Sequence, residues 1–381
     1  PQQGRISFIK VLTGTIEPGM ELINARTRKG ERLAHLNVMC GREMTEVGHA
    51  YAGDIVVVPK LSADTGDTLS VSGKVEAAAF KFPNSQYRIA IEAENRSEED
   101  KLFTFIDKAC EADPTMRIER DEETGQTVIY AVGEAQVSVL LNRLEERTKV
   151  AAHIVPLRIP YRETIRRIAS AQGRHKKQTG GHGQFGDVII NFEPCDSEQV
   201  VFEEKVFGGS VPKNFFPAVE KGVRLAAEKG VLAGYPVVGL KATLLDGSYH
   251  PVDSSEMAFI MAAKLAYKAA MPEAGPVILE PIHTLKAHVP NDNTGDIMGD
   301  VTKRRGRVLG MEPDEDGLQT IIAEVPLAEL ANFTTFIRQT TQGRGWFTTE
   351  FARYEVLPEM LVPAVVEQAK KLGNLDESAD D

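Results

Sequence analysis

The chain has 381 residues, 42% of them hydrophobic, and a formal net charge of -11. This length predicts several domains, and the acidity excludes binding to nucleic acid through overall charge, so any such contact must be local. No apolar run is long enough to span a membrane, no signal peptide is recognisable, and three widely separated cysteines predict a reducing, cytoplasmic setting.

The N-terminal region, residues 1–75, contains short strand patterns at 5–12, 21–24, 32–38 and 54–58, separated by glycine-containing turns. This spacing predicts a small β-barrel or sandwich. The chain starts at Pro1 without an initiating methionine, which suggests a fragment of a longer protein. Residues 76–153 follow the order strand, helix, strand, strand, helix, strand, with helices expected over 97–112, capped by Ser97, and over 134–147. That order predicts a ferredoxin-like α/β sandwich.

Residues 154–275 are predicted to hold a long hairpin, a helix over 213–229, a strand over 237–245 and a helix over 254–270. Residues 276–360 repeat the ferredoxin-like order, and residues 361–381 form a C-terminal helix and an acidic tail. The predicted fold class is therefore multidomain α+β. Positive charge is concentrated between Arg158 and Lys177, where Glu163 is the only acid.

A short, stiff loop is predicted before the helix over 254–270. Pro251 holds His250 in an extended conformation, and Asp253 and Glu256 have the spacing of a capping box. Two interpretations remain open. The loop is either an ordinary capped connection or a rigid tip that presents Tyr249 and His250 to a partner.

The glycine-rich segment 181–186 matches the dinucleotide pattern G-x-G-x-x-G, but a strand pattern over 187–192 follows it instead of a helix. The dinucleotide interpretation therefore fails its structural context. A hairpin end fits better, with donors for phosphates and sugars at Lys176, Lys177, Gln178, Thr179 and Gln184. A hairpin end without a function is the alternative.

Several catalytic patterns are missing from the sequence. It has no P-loop, so nucleotide hydrolysis cannot be assigned to this chain. It also has no G-x-S-x-G or H-E-x-x-H motif. His250, Asp253 and Ser254 are too close in sequence, on a helix cap, to favour a triad, and His283 and His288 are expected on opposite faces of one strand. Lys303, Arg304 and Arg305 end a helix, where they either complement its dipole or face phosphate.

Together, these segments resemble elongation factor G, the translocase among the translational GTPases. The resemblance covers nearly the whole chain in order. Its segments are 4–9, 66–69, 111–115, 123–127, 178–186, 246–259, 298–300, 304–306 and 341–345.

The resemblance implies that residues 1–75, 76–153, 154–275 and 276–360 are the second to fifth domains of that family, the first of these being an incomplete translation-factor β-barrel. The fourth would be an elongated arm, similar to ribosomal protein S5, that inserts its tip into the decoding region during GTP-dependent translocation. The implied tip residues that contact the ribosome or RNA are Gln178, Thr179, Gly180, Gly181, His182, Gly183, Gln184, Ser248, Tyr249, His250 and Asp253. The fifth domain would contact the large subunit through Lys303, Arg304 and Arg305.

The resemblance also implies the partners. These are rRNA of both subunits, which the basic run 158–177 would help to contact, and tRNA–mRNA in the decoding region. A monomer without a membrane partner is expected. GTP and Mg would belong to a GTPase domain outside this chain, so no cofactor is expected within it.

Three departures from the family pattern leave alternatives open. His182 stands where an arginine is usual, Asp187 where a histidine is common, and residues 134–137 differ from the usual Glu-Leu-His-Leu. An elongation-factor-G-like paralogue and a ribosomal protection factor are the alternatives. A nicotinamide-dependent enzyme that uses residues 181–186 is a third hypothesis.

Overall fold

The computed structural model describes residues 5–41, 43–78, 80–177, 183–314 and 317–375. The chain divides into two compact units, Pro1–Asp121 with Gln126–Pro156, and Glu122–Gly125 with Leu157–Asp381. Both units mix helices with several sheets, which confirms the predicted multidomain α+β class. Within the described ranges, no helix has the length and apolar character needed to cross a bilayer.

The first unit begins with short strands. They are β1 (Ile6–Lys10), β2 (Thr15–Ile16), β3 (Glu21–Asn24), β4 (Gly30–Arg32), β5 (Asn37–Cys40), β6 (Glu43–Glu46), β7 (Ala50–Tyr51), β8 (Ile55–Pro59) and β9 (Leu69–Ser70). They pair as three sheets, β1-β8-β5-β6, β2-β7 and β4-β3-β9, so the described residues form no closed barrel. The strand predicted over 32–38 is split in two, because Leu33 and Leu36 turn into the core between β4 and β5.

The rest of the first unit is a ferredoxin-like sandwich. Its elements are β10 (Tyr87–Ala93), α1 (Glu99–Ala112), β11 (Arg117–Arg120), β12 (Thr127–Ala131), α2 (Glu134–Thr148) and β13 (Ala152–Val155). The sheet order β11-β12-β10-β13 and the apolar faces of both helices confirm the predicted order of elements. The predicted Ser97 cap is wrong. Ser97 lies inside a 3-10 turn, Arg96–Glu98, that precedes α1, so it does not flank the helix as a cap must.

The first part of the second unit is an α/β layer pair. Its elements are β14 (Arg162–Ile165), β15 (Ala169–Lys177), β16 (Gln184–Pro194), β17 (Val201–Glu204), α3 (Phe216–Ala227), β18 (Leu240–Ser248) and α4 (Glu256–Ala270). The sheet order is β15-β16-β18-β17, with β17 parallel to β18. The strand predicted from residue 237 begins at Leu240 instead, because Gly239 adopts a left-handed φ of 66° that no strand continues through.

Helix α4 lies unusually close to the β15–β16 hairpin. A Cβ atom placed on Gly173 would lie 1.9 Å from the Ala262 carbonyl oxygen, and one on Gly186 would lie 2.5 Å from the Ala258 carbonyl oxygen. Both glycines are therefore needed for the contact. Buried alanines on the facing side of α4 complete this approach of backbone to backbone.

The remaining elements of the second unit form another ferredoxin-like sandwich and a C-terminal helix. They are β19 (Pro276–Pro290), α5 (Thr294–Lys303), β20 (Arg307–Pro313), β21 (Leu318–Pro326), α6 (Phe333–Thr340), β22 (Trp346–Val356) and α7 (Val362–Lys371). Strand β19 pairs with β21 and β22, and β21 pairs with β20. Strand β14 also pairs with β19 and so extends this sheet, although its residues fall in the predicted range 154–275.

Candidate nucleic-acid interface

Two loops meet at one end of the sheet that contains β15, β16 and β18. The first is the end of the β15–β16 hairpin, where Lys177 pairs with Gln184, and the second joins β18 to α4. The Phe185 amide donates to the Asp253 carbonyl oxygen at 2.8 Å. We call Lys176, Lys177 and residues 183–187 and 248–254 the tip. The predicted residues Gln178, Thr179, Gly180, Gly181 and His182 lie outside the described residues.

The Asp253 carboxylate connects the two loops. Its Oδ1 accepts a hydrogen bond of 3.0 Å from the backbone amide of Gly183. The prediction that Asp253 caps α4 is wrong. The helix starts at Glu256, and its cap is Ser255, whose Oγ accepts from the Ala258 amide at 3.2 Å. Because the helix starts two residues later than expected, the Asp253 side chain is free to bind the hairpin.

Ser254 provides a second connection, which sequence analysis missed. Its Oγ donates to the Phe185 carbonyl oxygen at 2.9 Å and accepts from the His250 amide at 2.9 Å. One hydroxyl therefore ties the hairpin to the start of the second loop. A serine near a helix start has a common capping use in sequence, so nothing in the local pattern signals this role.

Ser248 and Asp187 lie at the base of the tip. Asp187 is buried, and its carboxylate accepts from the Ser248 hydroxyl at 2.7 Å and from the Gln172 amide at 2.8 Å. The three side chains join neighbouring strands, since Asp187 lies opposite Ser248 in the β16–β18 register. Asp187, which the sequence analysis marks as an expected departure from the family pattern, therefore has a structural role beneath Ser248.

His250 and Tyr249 are exposed at the surface of the tip. The His250 side chain is 53% exposed, and its ring centroid lies 6.5 Å from that of Phe185. The imidazole Nδ1 accepts from the backbone amides of Val252 at 3.3 Å and of Asp253 at 3.2 Å. The structure therefore brings together the predicted tip residues that it describes, namely Gly183, Gln184, Ser248, Tyr249, His250 and Asp253.

A small cavity of about 170 Å³ lies between the two loops. Its lining residues are Lys176, Lys177, Gly183, Gln184, Phe185, His250 and Asp253. Cavities that hold drug-sized or cofactor ligands have volumes from roughly 300 Å³ upward. The cavity suits a single phosphate or sugar group better than a dinucleotide, and Gln184 begins strand β16 where a dinucleotide motif requires a helix.

Among the described residues of the tip, His250, Asp253 and Ser254 are not arranged as a catalytic triad. A triad needs a base that accepts the serine proton, but the Ser254 hydroxyl already donates to a carbonyl oxygen and His250 Nδ1 already accepts from two amides. In the part of the chain that the structure describes, no group of three His, Cys, Asp or Glu side chains could hold a metal ion.

The predicted contact residues Lys303, Arg304 and Arg305 have different surroundings. The Arg305 guanidinium binds both carboxylate oxygens of Glu280, at 2.7 and 2.8 Å, and Glu329 at 2.9 Å. These hydrogen bonds, above all those that Arg305 donates to Glu280, raise the pKa of Arg305 beyond its usual value. Arg304 pairs with Asp300 and donates to the Glu329 carbonyl oxygen at 2.6 Å. Lys303 and Arg305 are both exposed, but the Arg305 guanidinium is bound by carboxylates, so Lys303 is the residue of the three best placed to contact a partner.

The cations at the two ends of the basic run 158–177 have different surroundings. Arg158 donates to the Thr124 carbonyl oxygen at 2.8 Å, and Arg162 forms an ion pair with Glu123, so both cations bind the segment 122–125 of their own unit. Lys176 and Lys177 instead line the cavity of the tip. Lys176 and Lys177 therefore provide local positive charge at the tip, together with Arg174, whose guanidinium carbon lies 5.5 Å from the Phe185 ring centroid.

Comparisons with known proteins agree with this architecture. Four family models match successive segments of the chain: Elongation factor G domain 2 at residues 1–72, Elongation Factor G, domain III at 82–156, Elongation factor G, domain IV at 157–275 and Elongation factor G C-terminus at 277–364. An elongation factor G-like protein from Thermotoga maritima is 41% identical over 371 residues, which are 97% of this chain and 54% of that protein.

A crystal structure of a protein from Thermus thermophilus is similar with a TM-score of 0.80 and 39% identity, over 97% of this chain and 56% of that one. The chain thus spans about half the length of the relatives it matches. The four consecutive matches define a multidomain translation factor architecture. The chain belongs to the elongation factor G family.

Proposed function

We propose that the chain is the ribosome-binding part of an elongation-factor-G-type translation factor, and that its tip contacts tRNA and mRNA in the decoding region during GTP-dependent translocation. Family membership supports the ribosome as partner. The observation that carries the role of the tip is the joining of its two loops by Asp253 and Ser254. In this proposal GTP and Mg act in a GTPase domain outside the printed sequence, since the sequence itself has no P-loop.

The mechanism that we propose uses binding and shape without covalent chemistry. Two loops that are tied together form an end that keeps its shape when it is pressed against RNA. Lys176 and Lys177 place positive charge beside His250 on a chain whose net charge is -11. Local cations on an acidic body attract phosphate at the tip without general binding to nucleic acid. The tip would then block backward movement of the tRNA–mRNA duplex.

The test joins the chain to a GTPase domain of the family and measures translocation on programmed ribosomes. His250→Ala removes the exposed ring without removing Asp253 or Ser254, so we expect a translocation rate lower by roughly tenfold if the contact contributes about 1.4 kcal/mol to the transition state. His35→Ala, at an exposed histidine of the first unit, is the matched control. An unchanged rate for His250→Ala would refute the role of this residue.

A paralogue with a different ribosomal task is the second candidate. The Thermotoga maritima relative carries the name elongation factor G-like protein. Asp187, which the resemblance marks as a departure from the family, is buried at the base of the tip. If the parent chain binds ribosomes but does not translocate, this candidate or a ribosomal protection factor replaces the first. A protection factor would in addition release a ribosome-bound drug in a filter-binding assay.

A further inference from the structure

The His250 ring is held by the backbone of its own loop. The amides of Val252 and Asp253 both donate to Nδ1, at 3.3 and 3.2 Å. A ring nitrogen that accepts hydrogen bonds carries a lone pair and no proton. In a neutral imidazole the proton then resides on Nε2. The geometry around Nδ1 therefore selects one of the two tautomers.

The backbone of the residue is fixed as well. The His250 amide donates to the Ser254 hydroxyl at 2.9 Å, and the Ser254 amide donates to the His250 carbonyl oxygen at 3.1 Å. Pro251 restricts the chain between them. The ring therefore has a defined orientation, with Nδ1 directed at the loop and Nε2, on the opposite side of the ring, directed away from it.

The Asp253 carboxylate and the two loop amides have opposite effects on a proton at Nδ1. Asp253 Oδ2 lies 3.3 Å from Nδ1 and would favour a proton there, but the other oxygen of this carboxylate binds the Gly183 amide. A proton on Nδ1 would face two N–H donors and would break both of their hydrogen bonds.

We propose that His250 donates a hydrogen bond through Nε2 while Nδ1 accepts from its own loop, and that it recognises an acceptor oxygen of RNA, on a phosphate or a ribose, rather than a donor group. This inference rests on the proposed function for its ligand, because RNA is the partner that the function supplies. It makes His250 a specificity-determining residue of the tip, with the amides of Val252 and Asp253 as its positioning groups.

The tautomer is tested on the full chain without ribosomes. The protein is labelled with 15N-histidine, and a long-range 1H–15N correlation spectrum at neutral pH distinguishes protonated from unprotonated ring nitrogens. His250→Gln assigns the signal among the eight histidines. His35 is the internal contrast, because its Nδ1 lies 2.9 Å from a Glu46 carboxylate oxygen and is expected to be protonated. We expect a bare Nδ1 and a protonated Nε2 for His250. A protonated Nδ1 overturns the inference.

The donor role is tested by two substitutions in the translocation assay. The amide nitrogen of a glutamine at 250 can reach the region of Nε2, whereas that of an asparagine reaches only the region of Nδ1. We expect His250→Asn to be slower than His250→Gln by roughly fivefold, the effect of one ordinary hydrogen bond. Equal rates of the two variants overturn the donor role. A parent that does not translocate refutes the proposed function instead, and the tautomer spectrum then decides this inference alone.

Discussion

Replacing Gly173 by alanine tests whether the close packing of α4 on the hairpin supports the tip. The new Cβ would lie 1.9 Å from the Ala262 carbonyl oxygen and 2.4 Å from the Ala266 amide nitrogen. Carbon atoms in such contacts normally stay beyond 3.0 Å, so helix and strand would have to separate by at least ~1 Å. The obstructing atoms are backbone atoms beside fully buried alanines, so no side-chain rotation relieves the clash.

Overpacking of a well-packed core costs about 1–3 kcal/mol and sometimes more. Because this clash is with backbone, we expect about 3 kcal/mol, which lowers the melting temperature of a unit of this size by roughly 6–12 °C. Calorimetry measures the shift. Hydrogen exchange of the α4 amides assigns it to this helix, which is necessary because a chain of two units need not unfold in one transition.

The matched control is Gly299→Ala on α5. A Cβ at Gly299 meets no atom within 4 Å, so the alanine should stabilise the helix by about 0.5–1 kcal/mol through its higher helix propensity. We therefore expect the melting temperature to fall for Gly173→Ala and to rise for Gly299→Ala. If Gly173→Ala melts within a degree of the parent and α4 keeps its protection from exchange, the close approach and its role in holding the hairpin are refuted.

Two further predictions concern the tip and the last sheet. Asp253→Ala removes the acceptor of the Gly183 amide, so we expect hydrogen exchange of that amide to become roughly tenfold faster or more, with little change in melting temperature. Asp196→Ala, at an exposed site, is the control and should change neither quantity. An unchanged exchange rate of the Gly183 amide in Asp253→Ala would show that the link is absent. Hydrogen bonds, first from Arg353 and then from Arg307, lower the pKa of Glu324 from 4.5 to about 2. The ionised Glu324 carboxylate therefore stabilises the fold fully above pH 4.5, and this stabilisation is lost as the pH falls towards 2. Glu324→Gln should lower the melting temperature at pH 7 but hardly at pH 2. Equal decreases in melting temperature at the two pH values would contradict this prediction.

The sequence predicts the order of elements in both ferredoxin-like sandwiches, because alternating strand and helix periods are local signals. The sequence predicts the starts of helices less well. Ser97 and Asp253 are both polar residues at cap-like spacing, yet the first lies inside a 3-10 turn and the second binds a different loop. Cap residues and turn residues share the same chemistry, so only the backbone conformation distinguishes them.

Long-range partners are also beyond local patterns. Glu163 appears in the sequence as a single acid among cations, whereas in the structure it is buried and accepts backbone amides of Leu232, Ala233 and Tyr235 at 2.9, 2.8 and 3.3 Å. Burial raises the pKa of Glu163 despite these hydrogen bonds. The amides belong to residues about seventy positions away, and backbone amides carry no sequence signal at all, so no pattern could have identified this contact.

Side chains leave a signal in the sequence and backbone amides do not. For this reason the glycines of the hairpin predict a tip, whereas no sequence pattern predicts the hydrogen bonds that connect its two loops. At the hairpin end, the loop before α4 contributes the side chains of Asp253 and Ser254, and the hairpin contributes backbone atoms of Gly183 and Phe185. At the base of the tip both segments contribute side chains, Asp187 from the hairpin and Ser248 from the other segment. The connection at the hairpin end therefore constrains the sequence of the loop before α4 and constrains the hairpin mainly in shape. We expect substitution of Asp253 or Ser254 to loosen the tip more than substitution of Gln184, whose side chain is hydrogen-bonded to His175 of its own hairpin.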